Sequence, residues 1–308
     1  MIDFDHCFKV EDKPTLYLAQ VASMQKVAIK HWEDYVDLGS PEFEEVTQDE
    51  ADRFRTVPSL AQGTENKPGK VLIVIPTLDR PEMCARAVES VLRQKYKNWY
   101  LVVAINGFPE YTCDWEEKEQ AYRKAIGSLD SGHFMSIQEA GLGHALNSAL
   151  SPLLSKRFWE SMDDPSLPDY WMNLEDDDEL DTNYLEVMVA ALEESGADVA
   201  NCLQRQLPKK VHSNGGVMDT DRLQRGNWIN WPMCLWRREV YEKVGSIAED
   251  VGPAADWDYH LRCVAAGIKY HFVDCALVTH HWHGGNYCLQ VDGKGMIARK
   301  KAEGAYGG

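Results

Sequence analysis

The segment VLIVIPTLDRPEMCARAVESVLRQKYKNWYLVVAING (71–107) decides the fold. Its first part, VLIVIP (71–76), is a short apolar, β-branched run ending in proline, typical of a strand buried on both faces. DRP (79–81) follows where a helix would begin, and apolar residues then recur at helical spacing. WYLVVAING (99–107) is a second strand ending in an Asn-Gly turn. Strand, helix and strand in this order predict a βαβ unit and a parallel sheet.

Strand and helix patterns alternate further along the chain. GLGHALNSALSPLL (141–154) predicts a helix, and DYWMNLEDDDEL (169–180) predicts a short strand that runs into an acidic cluster. The later segments are a helix after Asp181, a strand at 198–206, helices at 236–245 and 256–267, and a strand at 268–283. We therefore expect one α/β domain over residues 67–285.

The two ends of the chain differ from this domain. Residues 1–66 lack strong strand signals, and the apolar spacing in VASMQKVAIKHWEDYVDL (21–38) predicts an amphipathic helix. We expect an N-terminal helical extension followed by a linker at 61–70. Residues 286–308 are rich in glycine and lysine, which predicts a mobile C-terminal tail.

Composition excludes some classes of partner. The chain has 308 residues and a formal charge of −17, which argues against a nucleic-acid partner because phosphate backbones are bound by basic surfaces. It still allows a nucleotide whose phosphates are neutralised by a divalent cation. Charges near the start argue against a secretory signal, and no apolar run approaches the roughly 20 residues of a membrane span. Eight scattered cysteines without a CxxC pair favour reduced thiols, so a cytoplasmic location is expected.

The five consecutive carboxylates at 175–179 are the sharpest chemical feature. A charge run is most often a solvated loop. This run, however, directly follows the apolar strand WMNL (171–174), and ligands bind at the carboxyl ends of strands in open α/β sheets. Clustered hard oxygen ligands at that edge suit Mg²⁺ or Mn²⁺ together with a diphosphate.

Five segments together resemble family 2 glycosyltransferases, which have the GT-A fold. IVIPTLDRPEMCARAVESVLRQ resembles the opening strand and helix of that family, and GLGHALNSAL resembles its "GxxxARN" helix. LEDDDELDTNYLEVM resembles its "LDxDDxLxPxYLE" metal-binding segment, and LWRREVYEKVG and ADWDYHLRCVAAG resemble its last two elements. The agreement runs in order over about residues 71–283. It implies a GT-A (Rossmann-like) mixed, mostly parallel sheet flanked by helices, and transfer of a sugar from a nucleotide-sugar donor to an acceptor hydroxyl with inversion.

The resemblance implies a set of donor-binding residues. Pro76, Thr77 and Asp79 would lie against the base and ribose. Asn106 stands where the family places an aspartate that contacts the base, and Asn147 would help to shape the nucleotide pocket.

The resemblance also implies metal ligands. Glu175 and Asp177 would occupy the ends of the Asp-x-Asp motif, with Asp177 the main ligand of Mn²⁺ or Mg²⁺ and Asp176 or Asp178 close by. A histidine after the last strand completes this site in some relatives. His283 is the first choice for it and His281 the second, although the histidines of THHWHGGN could equally be rim residues.

Asp256 matches the family's general base; the alternative is an ordinary helix cap, and one residue could serve both roles. A base is needed because a sugar hydroxyl is a weak nucleophile at neutral pH. Trp228 or Trp231, in GNWINWPMCLW, could stack against a donor or acceptor sugar, or belong to the core.

Four positions depart from the family pattern. Ile105 and Asn106 replace an Asp-Asp pair, and Leu146 replaces the arginine of "ARN". Glu175 replaces the first acid of Asp-x-Asp, and Ala255 replaces the glutamate before the base. These changes bear on donor identity and on whether activity is retained.

Three functions therefore stand side by side. The first is a metal-dependent, inverting glycosyltransferase that uses a nucleotide sugar, with a UDP-sugar favoured. The second is a nucleotidyltransferase that makes nucleotide sugars, against which TLDRPEM (77–83) counts because a glycine-rich basic loop is expected there. The third is a non-catalytic nucleotide- or sugar-binding protein of the same fold.

Overall fold

The computed structural model describes residues 69–107, 114–154, 159, 166–208, 211–284, 286, 292–302 and 304–306, together with five short strands near the N-terminus. These strands are β1 (His6–Val10), β2 (Leu16–Gln20), β3 (Gln25–Ile29), β4 (Glu44–Val46) and β5 (Arg55–Thr56). They form a sheet of order β4-β1-β2-β3-β5.

This N-terminal sheet differs from the predicted helical extension. Residues 25–29 lie within the segment 21–38, for which the sequence predicts a helix, yet they form β3 and pair with β2. A short run with Val27 and Ile29 is compatible with the periodicity of a helix or of a strand. Pairing with β2 supplies the backbone hydrogen bonds that favour the strand. The predicted boundary between residues 66 and 67, and all of the predicted linker except residues 69 and 70, lie outside the described residues.

The main domain contains a second sheet and the helices that cover it. Its strands are β6 (Val71–Thr77), β7 (Trp99–Asn106), β8 (Gly132–Ile137), β9 (Tyr170–Asn173), β10 (Asp178–Leu180), β11 (Val199–Leu207), β12 (Val211–Asn214), β13 (Cys234–Arg237) and β14 (Tyr270–His281). Its helices are α1 (Pro81–Leu92), α2 (Asp114–Ile126), α3 (Leu142–Leu153), α4 (Tyr184–Ser195), α5 (Thr220–Arg225), α6 (Arg238–Val244), α7 (Ala255–Ala265) and α8 (Gly293–Ala302), with 3₁₀ turns at Trp231–Met233 and Gly252–Ala254.

The sheet is mixed and mostly parallel. Its strand order is β10-β14-β11-β13-β9-β6-β7-β8, with β12 paired to β11. β6, β7, β8 and β9 are parallel, as are β11 and β14, whereas β10 and β13 run against their neighbours. The predicted βαβ unit of β6, α1 and β7 is confirmed. Its carboxyl ends, at Thr77 and Asn106, reach the same edge of the sheet.

Helices cover both faces of this sheet, which explains why every residue of β6 is buried. Val71, Ile73 and Ile75 pack with α1 and α4 in one apolar cluster. Leu72 and Val74 face a second cluster that includes α3, α7 and several tryptophans. Strands covered on both sides read as continuous apolar runs, which is the pattern that the sequence carries.

Helix α1 and the turn after it hold the chain that follows the acidic segment, through the buried side chains of Ser90 and Gln94. Ser90 Oγ accepts a hydrogen bond from the Leu180 N–H at 3.1 Å, at the end of β10. Gln94 donates to the Asp181 carbonyl at 2.7 Å and accepts from the Leu185 N–H at 3.0 Å. The carboxyl end of β10 and the start of α4 are therefore tied to the βαβ unit.

The C-terminal segment, for which composition predicts a mobile tail, packs on the domain over its described residues. Helix α8 contacts the 3₁₀ turn at 252–254, and Ile297 on it has 0% exposure. The glycines and lysines of GKGMIARKK suggest mobility from composition alone, whereas the buried Ile297 docks into the second cluster. No described helix is both long and apolar enough to cross a membrane.

Candidate functional site

A cavity of about 660 Å³ opens at the carboxyl edge of the main sheet. The ends of β6, β7 and β14, the acidic segment, the start of α7 and the start of α8 contribute to its wall. Pro76, Thr77, Asn106, Glu175 and Asp176 line it, as the sequence predicts for a ligand site. Asp177 and Asp256 line it as well. Parallel strands bring their carboxyl ends together, so residues far apart in the chain meet here.

Thr77 and Arg80 connect the end of β6 to the acidic segment. The Thr77 hydroxyl donates to Asp176 Oδ2 at 2.7 Å and lies 3.0 Å from the Tyr122 hydroxyl. The Arg80 guanidinium contacts Asp176 Oδ1 at 3.3 Å and Asp177 Oδ2 at 3.1 Å. Burial and the neighbouring carboxylates raise the pKa of Asp176 to about 6, against the lowering effect of Arg80 and Thr77.

Asn106 braces the edge of the cavity. Its amide donates to the Thr77 carbonyl at 3.0 Å, and its side-chain oxygen accepts from the Gly141 N–H at 3.2 Å. An aspartate could not donate the first of these bonds. Asn106 therefore joins the ends of β6 and β7 to the loop before α3.

Three acids of the 175–179 segment are each paired with a histidine at the end of β14 or directly after it. Asp178 lies opposite His280 in the antiparallel register, and His280 Nδ1 is 2.8 Å from Asp178 Oδ1. His281 Nε2 lies 2.9 Å from Glu179 Oε1. His283 Nε2 lies 2.9 Å from Asp177 Oδ2.

Glu175, Asp178 and His280 form a cluster whose ligand atoms could hold a metal ion, since they all lie within 4.8 Å of one another. Two observations fit a cation there. Asp178 Oδ2 is buried without a hydrogen-bond partner. Burial and the charges of neighbouring carboxylates raise the pKa of Glu175 well above its usual range, so its negative charge lacks compensation. Carboxylate oxygens with one imidazole nitrogen suit a divalent cation such as Mn²⁺.

This cluster differs from the ligands predicted from the motif, which were Glu175, Asp177 and His283. In the structure Asp177 Oδ2 is engaged by both Arg80 and His283. The register of β10 against β14 instead directs Asp178 and His280 towards Glu175. Burial raises the pKa of Asp178, and the hydrogen bond to His280 opposes this rise. Burial alone would lower the pKa of His280, but the Asp178 carboxylate raises it.

Asp256 is in the first turn of α7 and lines the same cavity as the acidic segment. The Asn227 amide donates to its Oδ2 at 2.8 Å, and the Trp257 N–H donates to its Oδ1 at 2.7 Å. Burial raises the pKa of Asp256 to about 7, although these two hydrogen bonds lower it. A carboxylate with this pKa can accept a proton near neutral pH.

Four predicted contact residues are not among the described residues that line the cavity: Asp79, Asn147, Trp228 and Trp231. Asp79 has φ +55°, points largely to solvent and pairs with Lys118 at 2.8 Å. Asn147 instead holds the loop at Ile247, accepting from its N–H at 2.8 Å and donating to its carbonyl at 2.9 Å.

The two tryptophans belong to the core. Trp228 and Trp231 are 3% and 1% exposed. Trp231 packs against Trp236 and Trp171 at centroid distances of 5.7 and 6.0 Å. Trp257 and the 45% exposed Trp282 are the tryptophans that line the cavity among the described residues.

Sequence reasoning assigned no ligand-binding role to Arg80, Asn227, His280 and Lys294, all of which line the cavity. Arg80 lies directly after the IPTLD segment, several of whose residues are predicted to bind the donor, so its position in the sequence is a signal for a role in the site. Asn227, His280 and Lys294 depend on strand register and helix docking, for which no local pattern exists.

With this geometry in view, comparison with known proteins identifies the family. The model of the family described as Glycosyl transferase family 2 matches residues 72–245. This chain belongs to glycosyl transferase family 2. The resemblance seen in the motifs is thereby confirmed, and the match contains Thr77, Asn106 and the acidic segment.

Solved structures similar to this family 2 chain share its fold. The mannosyltransferase PcManGT from Pyrobaculum calidifontis, in complex with GDP-Man and Mn²⁺, is 14% identical with a TM-score of 0.54, and the match covers 79% of this chain and 66% of that one. S. aureus TarS 1–349 in complex with UDP-GlcNAc is 13% identical with a TM-score of 0.51, covering 72% of this chain and 61% of that one. The GT-A fold is therefore confirmed, and this chain spans about three fifths of the TarS fragment. No curated protein matches this family 2 chain in sequence.

Proposed function

We propose that this protein transfers a sugar from a nucleotide-sugar donor to an acceptor hydroxyl with inversion, in the presence of Mn²⁺ or Mg²⁺. A UDP-sugar is the first candidate donor. The observation that carries the proposal is the position of Asp256, whose half-buried carboxylate lines the same cavity as Glu175, Asp176 and Asp177. A base on one wall and a cation-binding cluster on another are the two groups that direct displacement at an anomeric carbon requires.

Each group has a defined task in this proposal. Asp256, oriented by Asn227, accepts the proton of the attacking hydroxyl, which contributes roughly 10²–10⁴-fold to the rate. Glu175, Asp178 and His280 hold the divalent cation, with Asp177 beside them. When bound, the cation supplies positive charge that stabilises a departing diphosphate. Thr77, Pro76 and Asn106 shape the side of the cavity where a nucleotide would lie.

A ligand screen tests the donor part of the proposal. UDP-, GDP-, CDP- and dTDP-sugars are added to the protein with and without Mn²⁺, and the melting temperature is measured. A donor that binds only the folded protein raises the melting temperature by mass action. We expect one nucleotide class to do so, with a larger rise when Mn²⁺ is present. Equal rises without Mn²⁺, and no donor consumption, would instead favour a non-catalytic binding protein.

Substitution of Asp256 tests the catalytic part. Asp256→Asn removes the proton acceptor but keeps the shape and the Asn227 neighbour, so turnover should be abolished while donor affinity changes little. Asp221→Asn is the matched control, because Asp221 is an exposed acid in the first turn of α5. Unchanged turnover in Asp256→Asn would remove Asp256 as the base.

A further inference from the structure

The C-terminal helix α8 brings a cation to the cavity from outside the family match. That match ends at residue 245, whereas Gly293 and Lys294, at the start of α8, are among the residues that line the cavity. No role in ligand binding follows for this segment from the motifs. Its position must therefore be explained from its own contacts.

Helix α8 is anchored beside the helix that carries Asp256. Lys300 Nζ lies 2.8 Å from Asp250 Oδ1, and Lys301 Nζ lies 5.0 Å from the centre of the Trp257 ring. The Tyr306 hydroxyl donates to Asp258 Oδ1 at 2.7 Å. Asp258 is 1% exposed, so this hydroxyl helps to satisfy a buried carboxylate.

The start of α8 also lies very close to the cavity wall. A Cβ placed on Gly293 would be 2.9 Å from the Cβ of Ala254 and 3.4 Å from Pro253 Cγ. Contacts this short leave no room for a side chain, so glycine allows the backbone to approach. Lys294 is consequently held at the cavity, while Ile297, one turn later, is fully buried on the domain.

Lys294 differs from Arg80, which also lines the cavity, in having no carboxylate partner among the described residues. Among the described lining residues the carboxylates are Glu175, Asp176, Asp177 and Asp256, and the lysine and arginine side chains are Arg80 and Lys294. Arg80 is already paired with Asp176 and Asp177. Lys294 is exposed and forms no ion pair within the part of the chain that the structure describes. It is thus the lining cation that can meet a ligand's negative charge without breaking a contact.

We propose that Lys294 binds the diphosphate of the nucleotide donor, and that α8, docked through Tyr306, is the element that holds Lys294 at the cavity. This inference rests on the proposed nucleotide-sugar function and names a donor-binding residue for it. A lysine ammonium is a strong partner for phosphate oxygens. The neutral nucleoside offers it no such contact.

Direct binding measurements test this assignment without requiring transfer. UDP, GDP and uridine are titrated into the protein with Mn²⁺ present, by calorimetry, for the parent, Lys294→Ala, Lys294→Arg and Arg299→Ala. Arg299 is the matched control because it is exposed, belongs to the same helix and carries the same charge, but does not line the cavity. We expect Lys294→Ala to weaken nucleoside diphosphate binding about tenfold, with uridine unaffected and Lys294→Arg close to the parent.

Several results would overturn the assignment. They are unchanged diphosphate affinity in Lys294→Ala, an equal loss for uridine, an equal loss in Arg299→Ala, or a parent that binds neither UDP nor GDP. Failure of the proposed function is recognised separately, because it appears as a parent protein that binds a nucleoside diphosphate but consumes no nucleotide-sugar donor. A selective loss of diphosphate binding supports Lys294 whichever residue serves as base.

A double-mutant cycle tests the docking half of the proposal. Tyr306→Phe removes only the hydroxyl that contacts Asp258, so α8 should dock less firmly and UDP should bind a few-fold more weakly. In the Lys294→Ala background the same change should have no further effect, because the contact it serves is already gone. Additive losses, or no effect of Tyr306→Phe in the parent, would overturn the role assigned to the docking.

Discussion

Replacing Asn227 with alanine should move the acid side of the activity profile towards higher pH. The Asn227 amide donates to Asp256 Oδ2 at 2.8 Å and lowers the pKa of a carboxyl that burial raises to about 7. A hydrogen bond to a charged group contributes about 1.5–3 kcal/mol, and water entering from the cavity replaces part of it. A net loss of about 1.4 kcal/mol corresponds to a rise of about one pKa unit, to about 8.

The sign and size of the effect on activity follow from the ionised fraction of Asp256. A protonated carboxyl cannot accept the acceptor's proton, so kcat/KM falls as pH drops below the pKa. At a pH equal to the pKa of Asp256, about 7 without a bound cation, the parent is half ionised. A variant whose pKa is about one unit higher is then about one tenth ionised, so its activity should be about fivefold lower. At pH 9 both are nearly fully ionised and the two activities should converge.

The assay is kcat/KM for the donor sugar between pH 5.5 and 9.5, with Mn²⁺ held constant. A bound cation lowers the pKa of Asp256 in both proteins, so the difference between them is the quantity to compare. Asn230→Ala is the control, because Asn230 also lines the cavity but donates to Gln204 at 3.2 Å. Coincident acid limbs in Asn227→Ala and the parent, or the same loss at pH 7 and pH 9, would refute the reasoning.

Three further predictions concern the metal cluster and the core. Asp178→Asn should weaken Mn²⁺ binding by at least about tenfold, measured by calorimetry, because it removes charge from the cluster with Glu175 and His280; unchanged affinity would exclude that cluster. Gln94→Ala should lower the free energy of unfolding by about 2–4 kcal/mol in a denaturant titration, since it leaves two buried backbone groups unpaired; a loss below about 1 kcal/mol would show that water replaces both bonds. Trp171→Ala should cost about 3–5 kcal/mol in the same assay, because the fully buried ring stacks on Trp236 at 5.3 Å, and a near-neutral result would contradict this packing.

The sequence by itself determined the βαβ frame and the place of the acidic segment. The continuous apolar run of β6 can be buried on both faces only in a covered parallel sheet, and parallel strands collect their carboxyl ends at one edge. Local order was therefore enough to predict that the acidic segment lies at a ligand-binding edge of the sheet, and the family resemblance placed Thr77 and Asn106 at the same site, where they line one cavity with the carboxylates at 175–177. The family resemblance added Asp256, which lines the same cavity.

Only the tertiary structure decided which candidate residues lie at the cavity and which belong to the core. Whether His280 or His283 joins Glu175 depends on the register of β14 against β10, and a shift of one residue turns every side chain to the other face. Trp228 and Trp231 carry the same local signal whether they contact a sugar or the core, and only packing separates the two. Lys294 reaches the cavity because Ile297 and Tyr306 pack in the second cluster with residues of the segment 251–257, which lies about forty or more positions earlier in the chain. Contacts between such distant segments produce no local sequence pattern from which they could be predicted.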